Sequence, residues 1–135
     1  MSLRREKDDG GKVAVFFAII AMAWITLLGL VIVGGGQLRA FQRADNVAAE
    51  AARAAGQAID PTKAIPGGDK VIDPGTATAA ALAYLTDAGA TGEVTVLPGG
   101  TQLRVKATIT YANPTGVGKA TWEATGYATA TLLIG

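Results

Sequence analysis

The sequence predicts a membrane-anchored α+β protein: a long N-terminal transmembrane helix continuing into an alanine-rich helix, then a short helix and a three-stranded antiparallel β-meander. Three observations carry this reading. Val13 to Val33 is an uninterrupted apolar block, residues 37–60 are rich in Ala, Gln, Glu and Arg, and from Glu93 onward polar and apolar residues alternate between Gly- and Pro-bearing turns. The implied divisions are a charged tail or leader over 1–12, the span over 13–33, a glycine hinge at 34–36, the alanine-rich helix over 37–60 and a small α+β domain over 61–135.

Composition narrows the chemistry. The chain has 135 residues, half of them hydrophobic, with a formal net charge of +1 and neither cysteine nor histidine. That excludes disulfides, thiolate or imidazole metal sites, and any Cys or Ser nucleophile served by a His base. No enzyme activity and no cofactor are expected. Twelve Lys and Arg are interspersed with eleven Asp and Glu, leaving no basic footprint for nucleic acid. Since 27 residues are Ala and 18 are Gly, the apolar fraction overstates the bulk available for a core.

Val13 to Val33 (VAVFFAIIAMAWITLLGLVIV) is 21 residues with no charge and Thr26 as its only polar side chain. At about 1.5 Å per residue it reaches roughly 30 Å, the thickness of a bilayer's hydrocarbon core. A buried core helix is the competing reading, but a domain this small cannot surround it. A cleaved secretory signal is the other, prompted by Arg4, Arg5 and Lys7. Signal peptides have apolar stretches of roughly 7–15 residues and then a small-x-small cleavage site. Here the stretch is longer and runs into Gly34-Gly35-Gly36 and Gln37-Leu38-Arg39. The basic N-terminal flank, with Lys12 added, favours an N-terminus on the cytoplasmic side of the membrane and an exported C-terminal part.

Gly34, Gly35 and Gly36 each cost a helix interior about 0.8–1 kcal/mol relative to alanine, so a hinge is expected where the chain leaves the lipid. If the helix continues instead, they let neighbours approach closely. Beyond them, Gln37 to Ile59 reads as helix, stopped at Asp60-Pro61 because proline disfavours the helical conformation of the residue before it. Ala40, Ala44, Ala48, Ala52 and Gly56 recur at every fourth position. Such a row suits close packing against copies of the chain or a partner helix, though an alanine-rich helix also scatters alanines without purpose. Glu50 and Arg53 are spaced to pair on the wet face.

Residues 61–75 read as a loop, with three prolines and three glycines. Thr76 or Thr78 is the expected cap of a helix through about Ala88, with Leu82 and Leu85 on one face, Tyr84 beside them, and Gly89 as its stop. Glu93 to Leu97, the turn Pro98-Gly99-Gly100 and Thr101 to Tyr111 form a hairpin, with Leu103, Val105, Ala107, Ile109 and Tyr111 inward and Arg104 and Lys106 outward. After the turn Asn113 to Gly118, Lys119 to Ile134 is a third strand with a bulge expected at Gly126. Only 23 large apolar or aromatic residues lie from Gln37 onward, so the core is thin and burial against a partner is expected.

Several motifs fail on inspection. Gly116-Val117-Gly118-Lys119 lacks the first glycine of a phosphate-binding loop, Asn113 standing there, and Ala120 replaces its Ser or Thr. Asn113-Pro114-Thr115 is no glycosylation acceptor, because proline occupies the middle. Asp69, Asp73 and Asp87 are too scattered for a calcium loop.

The order of charged tail, Gly11, the Val-Ala-Val-Phe opening of the apolar block, Phe41-Gln42-Arg43-Ala44, Ala48-Ala49-Glu50-Ala51-Ala52-Arg53-Ala54 and the ending Thr125-Gly126-Tyr127-Ala128-Thr129-Ala130 resembles the TadE/TadG-like proteins of Tad (Flp) pilus systems. The resemblance implies a pilin-like fold, cutting by a prepilin peptidase between Gly11 and Lys12, and partners among other pilin-like or Tad apparatus proteins. One departure is plain: the glutamate that pseudopilins carry five residues after the cut is Phe16 here, followed by Phe17. The expected function is that of a non-enzymatic, single-pass minor pilin, pseudopilin or assembly factor. It would act by helix packing in the bilayer, with self-association included. The contrasting expectation is a membrane-anchored extracytoplasmic binding module that does not polymerise.

Overall fold

The computed structural model describes residues 3–58 and 72–132. In chain order the elements are α1 (Leu3–Gln57), α2 (Pro74–Asp87), β1 (Thr91–Val96), β2 (Gln102–Ala112) and β3 (Thr121–Thr131). The strands form one antiparallel sheet in the order β1-β2-β3. This is the long helix, short helix and meander that the sequence predicts.

α1 is a single helix of 55 residues, about 80 Å long at 1.5 Å per residue. It runs without interruption through Gly34, Gly35 and Gly36, so the expected hinge is absent. The physical reason is cooperativity. Interrupting a helix strands up to four N–H and four C=O groups at the new ends, which outweighs the modest propensity cost of three glycines flanked by strong helix formers. The helix also ends earlier than Asp60. Gln57 is its last residue, and the Ala58 N–H donates to the Ala55 carbonyl at 3.2 Å, tightening the final turn. Ile59, Asp60, Pro61 and the loop as far as Val71 lie outside the described residues.

α2 is capped by Asp73 and not by either threonine. Asp73 has extended backbone, and its Oδ2 accepts from the Thr76 N–H at 3.1 Å and the Thr76 hydroxyl at 3.2 Å. Pro74 takes the first turn, where its missing N–H leaves no bond unmade. Thr78 donates back to the Pro74 carbonyl instead. The helix closes as expected at Gly89, whose φ of +69° suits glycine. The Gly89 N–H reaches Thr86 O at 3.0 Å and the Ala90 N–H reaches Leu85 O at 2.9 Å, the paired bonds of a Schellman ending. Its buried face is Ala77, Ala81 and Leu85, one residue per turn. Leu82 is therefore rotated outward, 42% exposed, with Tyr84 close to it at 37%, which corrects the expected Leu82–Leu85 face.

β2 carries the alternation expected of it: Leu103, Val105, Ala107 and Ile109 are buried, Tyr111 is half-buried and Arg104 is exposed. Opposite them in register on β3 stand Ala130, Ala128, Gly126, Ala124 and Trp122. Register runs unbroken through Gly126, which pairs with Ala107, so there is no bulge. Glycine is needed for another reason. A Cβ at 126 would overlap the backbone of Ala44 and Asp45, because α1 lies directly on β3 at this point. Gly92 on β1 is under an equally close constraint: a Cβ there would overlap the Lys106 carbonyl, with Leu85 Cδ1 at 2.8 Å.

The second half of α1 packs on β3, β2 and α2, and α2 packs on α1 and β1, so the two helices form one layer over one face of the sheet. Between the layers the largest fully buried side chains are Leu85, Leu103 and Val105. The other face carries Thr95, Thr108, Thr110, Thr125 and Thr129 with Arg104, Lys106, Glu123 and Tyr127, and Thr108 and Thr125 approach through their hydroxyls at 3.4 Å.

Gly126→Ala is expected to lower the stability of the folded domain by about 1–3 kcal/mol through overpacking. Asp73→Ala is expected to cost about 1 kcal/mol through the lost cap. Thermal or urea unfolding of the full chain, followed through the β-sheet signal, measures both, and an unaltered midpoint for Gly126→Ala would refute the close helix–strand contact.

Candidate packing and membrane-spanning surfaces

α1 is divided by what covers it. From Val13 to Val33 its large apolar side chains stand free, Leu30 and Val31 at about 70% exposure, and its most apolar 18-residue window is entirely unburied. It is the one helix among the described residues long and apolar enough to cross a membrane. Thr26, the only polar side chain in the block, donates its hydroxyl to the Met22 carbonyl at 2.8 Å, leaving no unmet donor.

From Ala40 onward the same helix is covered. Ala40, Ala44, Ala48 and Ala52 are buried, as a packing stripe requires, but the surface they meet is the chain's own sheet and α2. This corrects the expectation that the stripe waits for a copy or a partner helix. Gly56 falls off the face and is only half-buried, while Ala51 and Ala55 are fully buried. Steps of four residues advance 400° on a helix of 3.6 residues per turn, so a strict fourfold row drifts about 40° per step and leaves its partner. The covered face follows Ala44, Ala48, Ala51 and Ala55. The matching surface, Ala124, Gly126, Ala128 and Ala130 on β3, was written in the sequence as small residues at every second position.

Two open grooves and a third at the far end show how α1 and β3 run together. Gln37 shares a groove with Tyr111, Lys119, Thr121, Trp122 and Glu123. Arg39, Ala40 and Arg43 share the next with Ile109, Thr110 and Tyr111. Ala52 and Gly56 share the last with Ala128 and Ala130. α1 and β3 therefore advance in the same direction, and the β2–β3 turn lies at the end nearer Val33. There Tyr111 and Trp122, paired in register, meet edge to face at 6.0 Å between ring centres.

The remaining candidate residues are placed as follows. Gly11 and Lys12 lie inside α1 on exposed backbone, with Lys12 Nζ 3.9 Å from Asp9 Oδ1. Gly34, Gly35 and Gly36 have nothing within 4 Å of where a Cβ would stand, so no contact in this chain requires glycine there. Arg53 and Glu50 pair at 3.5 Å in the open, a contact of a few tenths of a kcal/mol. Among the described residues no charged side chain is buried, and no three His, Cys, Asp or Glu stand close enough to share a metal ion.

No protein-family model, curated protein or solved structure matches the chain.

Ala48→Leu is expected to destabilise the domain by about 1–3 kcal/mol, whereas Ala49→Leu, on the exposed side, stays within about 0.5 kcal/mol of the parent. Equal unfolding midpoints for the two would contradict the intramolecular stripe. Changing Gly34, Gly35 and Gly36 together to alanine is expected to leave that midpoint in place; a lowered midpoint would mean that the glycines are needed by the fold itself.

Proposed function

We propose that the chain is a non-enzymatic, single-pass membrane component of a Tad (Flp)-type pilus or related secretion apparatus, a minor pilin, pseudopilin or assembly factor of pilin-like fold. The observation that carries this reading is α1 itself, one unbroken helix whose first half is apolar and bare and whose second half is folded into a small sheet domain. Its bare half suits a bilayer, and its N-terminus is assigned to the cytoplasmic side by the basic flank. The domain is assigned to the outside of a bacterial cytoplasmic membrane.

Because the alanine stripe is consumed within the chain, lateral packing against other pilin-like or Tad proteins, or against copies of itself, falls to the lipid-facing half. That half offers a shallow furrow lined by Ala18, Ile19, Met22, Ala23 and Thr26, and beyond it the uncovered glycines 34–36. Phe16 at the place of the pilin glutamate means that a subunit entering a polymer would do so without that carboxylate's pairing; for a protein that stays in lipid, an ionised group there would be costly.

A second reading, a membrane-anchored binding module that does not polymerise, is favoured by a different observation. The outer sheet face leaves Tyr127 on the edge strand 60% exposed, an amphipathic ring between Thr125 and Thr129 and opposite Lys106.

Mass spectrometry of the mature N-terminus is the first test. A chain beginning at Lys12 is the expected result for pilin-like processing; one beginning at Met1 or Ser2 removes that part of the proposal. Cross-linking in membranes separates the two readings further: changing Gly34, Gly35 and Gly36 to leucine is expected to weaken capture of neighbouring helices several-fold while leaving the domain folded.

A further inference from the structure

We propose that the tip of the β2–β3 hairpin, residues 114–119, is a second membrane contact, resting in the phospholipid headgroup layer with Val117 seated at the edge of the hydrocarbon. This rests on α1 crossing a bilayer as proposed above. It begins from direction: α1 and β3 advance together away from Val33, so the turn that precedes β3 points back toward the span. Level follows from rise. Gln37 is four residues past Val33, about 6 Å beyond the apolar block, which is within a headgroup layer of roughly 5–8 Å per leaflet. Tyr111 and Trp122 share a groove with Gln37 and stand at that level. The hairpin continues two to three residue-lengths past Thr121, and at about 3.3 Å each this carries its tip roughly 7–10 Å nearer the membrane, beside Leu30 to Val33.

The chemistry at each level suits what it would meet. Val117 is 78% exposed, the most exposed large apolar side chain among the described residues. Tyr111 and Trp122 form an aromatic pair at headgroup height, where amphipathic rings are favoured. Lys119 on the hairpin and Arg39 on α1 stand near them as partners for phosphate, with Glu123 the one carboxylate in the groove. The tip meets part of its own polar needs. Asn113 Nδ2 donates to the carbonyls of Val117 at 2.8 Å and Lys119 at 2.9 Å, and its Oδ1 accepts from the Thr115 N–H at 3.0 Å and hydroxyl at 2.7 Å. Each such internal partner lowers the cost of withdrawing water from the loop. The span and the hairpin would then hold the bilayer at two points and set the tilt of the domain.

The absence of native cysteine allows single labels in the full chain. Nitroxides at Val117→Cys, Ile25→Cys and Thr101→Cys, in vesicles of phosphatidylcholine and phosphatidylglycerol, are to be compared by their relaxation with oxygen and with a water-soluble nickel chelate. The expected result is an oxygen-to-nickel ratio several-fold higher for Val117→Cys than for Thr101→Cys, and higher still for Ile25→Cys. A Trp24→Phe chain keeps the loop native and reports through Trp122, whose emission is expected to be quenched by lipids brominated near the glycerol end. An aqueous Val117→Cys label, or an unquenched Trp122, beside a deep Ile25→Cys overturns the hairpin contact and leaves the anchor standing. An aqueous Ile25→Cys overturns both.

Discussion

The domain depends on one close approach, the backbone of α1 at Ala44 and Asp45 laid against β3 at Gly126. Helix and sheet ordinarily meet through side chains of some bulk. Here both surfaces have been emptied of them, alanine after alanine on α1 and Ala124, Gly126, Ala128 and Ala130 on β3. Contact between two such surfaces gains little from each methyl group, about 0.8 kcal/mol per buried carbon, but a close-packed interface sums many small dispersion contacts. The bulk that remains is displaced to the flanks. Leu103, Val105 and Ile109 on β2 and Leu85 on α2 are buried in the same core beside the contact.

That arrangement explains why mid-strand glycine persists despite its conformational cost, and why the alanines are concentrated beyond Ala40. It also determines what α1 can offer to others. The helix changes surroundings along its length, and the division falls between Val33 and Ala40, beyond which one face of it is covered by the domain. With helical hydrogen bonding maintained through Gly34 to Gly36, no loose joint lies at that boundary.

Much of the layout was legible in the sequence. The span, the hairpin at Pro98-Gly99-Gly100, the inward set of β2 and the stop at Gly89 follow from period and turn chemistry, which are local. What was not legible is where local rules compete. Asp73, Thr76 and Thr78 can all cap a helix, and the choice is made by Pro74, whose fixed φ suits the first turn and so makes Asp73 the residue before it. Gly126 read as a bulge because a single strand gives no sign that a helix backbone lies on it. The partner of the alanine stripe was missed for the same reason: a row of small residues declares a close neighbour without saying which. Only the period-two run of small residues on β3, taken together with the stripe, held that information. Gly34 to Gly36 stay helical because a helix is lost or kept as a cooperative unit, which propensity taken residue by residue does not express.

The unbroken passage from the apolar half to the domain makes α1 a register. Each residue of an α-helix turns the chain by about 100° and advances it by about 1.5 Å. Removing one residue between Val33 and Gln37 would therefore swing the whole sheet by more than a quarter of a revolution around the helix axis while barely changing its height. The side of α1 that carries the sheet and the bare sides of its apolar half are phased to each other by the number of residues between them, so the spacing in that short segment acts as an angular setting.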